Sequence, residues 1–226
     1  MSAQALLLAG GGADFGGLRG TLFGKINGIT NPAPLNGSVF VIAGDLIVVV
    51  SAERDNLTST AVTDNLGNSY TAQNAGTDAG NVTGRAFYSR VTVAGELTTI
   101  NISCTASADK WAGVAAVYQG LFVTSPIDVN TANITSDITS PFACPATGTL
   151  SQADELVVCW GANDGADLWS ATAPLLLSIA NSQGGGGGVG VVVGSKVVSA
   201  TTTTSPEFIG PNPSQTILGT MSFKRI

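Results

Sequence analysis

From residue 37 onward, short apolar runs alternate with turn residues at close intervals, the rhythm of a sheet protein. Leu46-Ile47-Val48-Val49-Val50 is a stiff, largely β-branched run that suits a buried strand. In Val62-Thr63-Asp64-Asn65-Leu66-Gly67-Asn68-Ser69-Tyr70-Thr71, an Asp/Asn/Gly turn separates two extended segments. The pattern predicts strands over Ser38–Ile42, Leu46–Ala52, Ser59–Thr63, Ser69–Gln73, Arg85–Val93, Leu97–Cys104 and Ala112–Gln119. Trp111 to Tyr118 has no polar face, so it is expected to be covered on both sides and to lie at the centre of the sandwich. Further strands are predicted over Glu155–Gly161, Leu175–Ala180, Val189–Val198 and Thr216–Lys224.

Three segments break the rhythm. Residues 1–36 are interrupted by Gly10-Gly11-Gly12, Gly16-Gly17, Gly20, Gly24 and Gly28 and closed by Pro32 and Pro34. Glycine loses much backbone entropy on ordering, so this segment is not expected to build its own core; it reads as an extended assembly arm held by a neighbouring subunit, with a tail lying on its own domain as the other reading. Residues 123–150, rich in Thr, Ser, Asn and Pro, read as a surface excursion with at most one strand, near Ile134–Thr139. The glycine run from Gly184 to Gly188 is followed by neither Lys-Ser/Thr nor a helix start, so it reads as a hairpin tip and not a phosphate cradle. No amphipathic helix of ten residues or more is evident.

Composition narrows the partners. Charged residues make up 11% of the 226, and the net charge is -6, with both ends net positive and the body net negative. Phosphate-backbone binding needs clustered Lys and Arg, so nucleic acid is not an expected partner. The apolar stretch near the N-terminus lacks a basic leader and is shorter than an export signal requires, and no run is long enough to span a bilayer as a helix. The expectation is a protein made in a cytoplasm and not tied to a membrane. Cys104, Cys144 and Cys159 form no Cys-x-x-Cys unit and there is no His to join them, so no metal or other cofactor is expected. Cys104 and Cys159 alternate with apolar residues and read as small buried thiols; a disulfide is the other reading.

The absence of His removes the usual base of Ser and Cys hydrolases. Asp154-Glu155 and Asp164 with Asp167 are the local carboxylate pairs, and adjacent strand residues point to opposite faces, which disfavours the first. Asp164 and Asp167 lie in a turn-forming loop between Trp160 and Trp169, an arrangement able to hold a sugar ring or a cation. Those four residues are the candidate glycan contacts, and turn formation and core filling are the competing explanations for them. Asp64 reads as a turn former rather than a calcium ligand.

Gly44-Asp45-Leu46-Ile47-Val48-Val49, the Val62 to Tyr70 segment, Phe87-Tyr88-Ser89, Ala115 to Leu121 with Pro126-Ile127-Asp128, and Ile217 to Phe223 together resemble a jelly-roll sandwich domain. That domain recurs in tailed-bacteriophage virion proteins and some bacterial surface proteins. The resemblance covers residues 37–226 and implies an all-β fold, a jelly-roll-like antiparallel β-sandwich, with residues 1–36 as a Gly-rich N-terminal arm. It implies a non-enzymatic virion structural protein, decorating or cementing the capsid or serving as a tail accessory. The expected partners are other virion proteins and copies of itself in a homo-oligomer. A carbohydrate-binding module or adhesin is the alternative.

Overall fold

The computed structural model describes residues 16–54, 58–77, 82–106, 108–120, 122–136, 140–165, 170–171, 177–183, 188–210 and 215–226. The described residues form only strands and connections, and every pairing between strands is antiparallel. The first half supplies β1 (Leu18–Thr30), β2 (Ala33–Val41), β3 (Leu46–Arg54), β4 (Ser59–Asp64), β5 (Thr71–Thr77), β6 (Val82–Arg90), β7 (Gly95–Cys104) and β8 (Ala108–Tyr118). They form one eight-stranded sheet in the order β4-β7-β2-β1-β8-β3-β6-β5. The second half supplies β9 (Phe122–Ser136), β10 (Phe142–Ala143), β11 (Glu155–Asp164), β12 (Ser170–Ala171), β13 (Leu177–Gln183), β14 (Val189–Val198), β15 (Glu207–Ile209) and β16 (Gln215–Arg225). Of these, β13-β14-β11-β16-β9 form a five-stranded sheet and β10-β15-β12 a small third one.

The large sheet rolls almost into a barrel. Its far strand β4 returns beside β6, where Arg85 Nη1 donates to the Ser59 carbonyl at 2.7 Å. Leu22, Leu35, Ile47, Val49, Phe87, Ile100 and Val117 fill the inside of the roll. Alternate residues of the same strands, among them Leu46, Val48, Val50, Val114 and Ala116, point outward against the five-stranded sheet. That sheet is covered on its other face too, where Val157, Cys159, Val192 and Leu218 pack under Phe142, Leu150 and Phe208. Strands buried on both faces have no polar alternation, which is why β3 and β11 are nearly continuous apolar runs. Full burial of each Val, Leu or Ile stabilises by roughly 1.5–3 kcal/mol.

The expected centre is where β8 lies, between β1 and β3, with its residues from Lys110 to Tyr118 buried. The expected hairpin around the glycine run is borne out by the pairing of Ser182 with Gly190 and Gln183 with Val189. Two expectations are corrected. Residues 18–30 are not part of an arm: β1 pairs along β8 from Leu18 opposite Tyr118 to Thr30 opposite Ala108, and the boundary expected at 36/37 falls inside β2. Glycine there serves close approach, because a Cβ on Gly24 would collide with the Pro34 carbonyl oxygen and lie 2.9 Å from the Trp111 ring. Residues 1–15 of the expected arm lie outside the described residues. The excursion expected over 123–150 instead begins with β9, the edge strand paired along β16. Its Thr, Ser and Asn residues disguise an edge strand that turns Phe122, Ile127 and Ala132 toward the core. All three cysteines are free and buried.

Candidate functional site

Trp160 sits in the middle of β11 and is 1% exposed, between the two large sheets. Its ring fills the space above Gly219, where a Cβ would overlap the indole, so it is core filling and has no surface to offer a sugar. Asp164 is at the end of the same strand, half-buried and opposite Val189. Asp167 and Trp169 lie outside the described residues. The described residues therefore do not assemble the glycan platform expected around Trp160.

Several carboxylates are committed to the frame. Asp64 Oδ1 accepts from the backbone N–H groups of Leu66 (2.9 Å) and Asn68 (3.1 Å), while Oδ2 accepts from Asn68 Nδ2 (3.0 Å) and the Tyr70 hydroxyl (2.9 Å). Four donors leave this carboxylate a turn anchor, and Gly67 at φ +78° completes the turn. Asn68 extends the anchor by accepting from the N–H groups of Thr92 (3.0 Å) and Val93 (3.2 Å). Asp45 is buried and ion-paired with Arg19 Nε at 2.8 Å, and it also accepts from the N–H of Ile42. This ties β1 to the entrance of β3.

Glu53 occupies the end of the rolled sheet's interior. Its Oε1 accepts from the Ser59 hydroxyl, which lies 2.9 Å from the Ser51 hydroxyl. Burial pushes the Glu53 carboxyl up to about 7, against the opposing influence of Ser59, Ser51, the Trp111 indole N–H and Arg85. Neither Oε2 nor Trp111 Nε1 completes a hydrogen bond. Cys104 lies 3.9 Å from Ser59 Oγ, and burial together with Glu53 pushes its thiol up to about 12. A thiol pushed up to about 12 is protonated near neutral pH and is a poor nucleophile.

A carboxyl pair, Glu155 with Asp128, lies where β9 meets β11. Burial and the neighbouring Asp128 raise the Glu155 carboxyl, against the Ser222 hydroxyl and the Gln152 N–H at 3.1 Å. Burial alone would raise Asp128 as well, but the Ser151 N–H at 2.8 Å, Glu155 and Lys224 hold it below the usual carboxylate range. Lys224 Nζ approaches Asp128 at 3.5 Å. Glu155 is fully buried and Asp128 partly so, and with Lys224 the pair fastens β9, β11 and β16 together.

Among the described residues, a reachable site lies at the seam between the two large sheets. A surface cleft of about 230 Å³ opens where the turn after Asn68, the start of β5, the end of β6 and the start of β9 converge. Tyr88 and Arg90 of β6 line it between Ser69 and Thr71 on one side and Thr124 and Ser125 on the other, with Thr92 beyond. Thr71 stands opposite Tyr88 in the β5–β6 ladder. The Tyr88 ring is fixed edge-on against Phe223, centroids 5.4 Å apart. Arg90 bridges the sheets, its Nε donating to the Phe122 carbonyl at 2.7 Å. The Asn68 bonds to residues 92 and 93 hold the rim. The result is a preformed, hydroxyl-rich concavity with one cation, suited to binding a small polar molecule.

These cleft residues were not singled out from the sequence because four separate segments supply them. The usable signal was local: exposed hydroxyl pairs at strand ends, Ser69 with Thr71 and Thr124 with Ser125, and an Arg closing the apolar Phe87-Tyr88 strand. Comparison with known proteins found no matching family model, curated protein or solved structure.

Proposed function

We propose that this chain is a non-enzymatic structural protein of a tailed-bacteriophage particle, a capsid decoration or cement protein or a tail accessory, acting through contacts with other virion proteins and with copies of itself. The observation that carries the reading is the succession of strands in the first half of the chain. β1 pairs with β8, β8 with β3 and β3 with β6, while β2 pairs with β7 and β7 with β4. That succession supports a jelly-roll reading, from which the joining of β1 to β2 across the roll and the attachment of β5 to β6 depart; double-sheet jelly rolls include viral capsid domains. The reading starts the jelly roll at β1 rather than at residue 37. An exposed apolar end of the roll supports subunit contact: Phe40 is 63% exposed, Ile42 44% and Val93 45%. Phe40 lies near the end of β2 and Ile42 just beyond it, and the ladder puts Val41 opposite Gly95, which brings Val93 to the same end.

Sedimentation of particles from a lysate in which the tagged chain is made tests this. The chain is expected to travel with the particles, and Phe40→Ser with Ile42→Ser to leave a folded chain at the top of the gradient. A wild-type chain that never travels with particles overturns the proposal.

The second reading, a carbohydrate-binding module or adhesin, is favoured by one observation, the hydroxyl-lined cleft at the sheet seam. Lectin domains are also built on jelly rolls.

A further inference from the structure

We infer that the cleft between the β5–β6 end and β9 is a binding site for one acidic sugar unit, a pyranose bearing a carboxylate. The inference deepens the carbohydrate-binding reading, on which it rests, and is independent of the assembly reading.

Size sets the first limit. A volume of about 230 Å³ is below the roughly 300–1,000 Å³ of sites for drug-sized ligands, which leaves room for a single ring. The lining sets the second. Ser69, Thr71, Thr92, Thr124 and Ser125 supply hydroxyls, each a donor and an acceptor, which is what the hydroxyls of a sugar require in return. All five residues are exposed, so they meet a ligand without a buried group having to be uncovered. Tyr88 adds an aromatic side chain whose position Phe223 fixes. An extended peptide would call for apolar side pockets, and the residues lining this cleft supply none beyond Tyr88.

Arg90 sets the third limit, charge. The Nε bond to the Phe122 carbonyl uses one of the five guanidinium N–H donors and fixes the plane of the group. A pinned guanidinium receives a carboxylate bidentately, with better geometry and strength than it gives a neutral hydroxyl. None of the cleft-lining residues is acidic, so Arg90 sets the sign of the site against a chain of net charge -6. The surrounding hydroxyls distinguish a sugar acid from a bare carboxylate.

The test follows backbone amide shifts of the intact chain by NMR during titration with glucuronate, galacturonate, glucose, galactose and acetate. Saturable shifts are expected at Ser69, Thr71, Thr92, Thr124 and Ser125 with a uronate, and affinity about tenfold weaker for the neutral sugars, the value of one charge-assisted hydrogen bond. Arg90→Lys is expected to bring uronate affinity down to that of the neutral sugar. Because Arg90 also joins the two sheets, Thr124→Val with Ser125→Ala is the second variant, weakening both sugar classes while the remaining spectrum is unchanged. Equal affinity for neutral and acidic sugars overturns the acidic assignment and keeps the sugar reading. Acetate binding as tightly as the uronates overturns the sugar reading and reduces the cleft to an anion site. No saturable shift with any sugar overturns both.

Discussion

Glu53 is the side chain whose environment departs furthest from what its position in Leu46-Ile47-Val48-Val49-Val50-Ser51-Ala52-Glu53 announces. Strand alternation places it with Ile47, Val49 and Ser51 toward the interior of the roll, but a sequence reading does not reveal that this interior is closed there by Trp111 and Ser59. Its folded carboxyl titrates near 7 against 4.5 for the free group. Below pH 4.5 both folded and unfolded chains carry the proton and the site contributes no pH dependence. Between 4.5 and about 7 the unfolded chain has released it and the folded chain has not, so stability falls as pH rises, by about 3 kcal/mol in total. Denaturant titrations of Glu53→Gln are expected to lack this part of the slope and to show a variant more stable than the parent at pH 8. An identical pH dependence in parent and variant would show that Glu53 is ionised in the folded chain. Trp160 and Gly219 make the complementary case in packing. Gly219→Ala pushes a Cβ into the indole and is expected to cost about 2 kcal/mol, lowering Tm by roughly 4–8 °C. Trp160 was legible as either platform or core, and only the position of Gly219 on the neighbouring strand decides between them.

Among the elements, β3, β8 and β14 were legible because burial on both faces leaves an unbroken apolar signature. β1 and β9 were not, for opposite reasons. In β1 glycines stand where neighbouring chains come close, so a strand resembles a flexible arm; in β9 an edge position leaves hydroxyl and amide side chains on a strand that resembles a loop. The difference is testable by truncation. Removing residues 1–15 stops short of every described strand and serves as the control. Removing residues 1–30 strips the ladder from one side of β8 and is expected to abolish cooperative unfolding. A native-like melt after the second truncation would mean that β1 is dispensable. The seam between β4 and β6 gives a further prediction. Arg85 donates to the Ser59 and Gln73 carbonyls and stacks 5.4 Å over Phe87. Arg85→Met should therefore speed hydrogen exchange in β4 by about tenfold, the loss of roughly one charged hydrogen bond, with β11 unaffected.

At the scale of the whole molecule, the five-stranded sheet is buried between the rolled sheet and the small cover, so recognition falls to the ends, the seams and the outer faces. The all-β class was readable because turn chemistry and strand periodicity are local. The cleft and the apolar end of the roll were not, since each arises only when distant segments meet: Thr71 with Thr124, and Ile42 with Val93. The proposed role as a virion structural protein places Phe40, Ile42 and Val93 at a contact and leaves the cleft open to solvent. Cryo-electron microscopy of particles carrying the chain tests that placement most directly. Density for the rolled sheet is expected on the particle, with those three side chains against a neighbouring subunit; particles without the chain, or a bound chain with that end facing solvent, would overturn the proposed role.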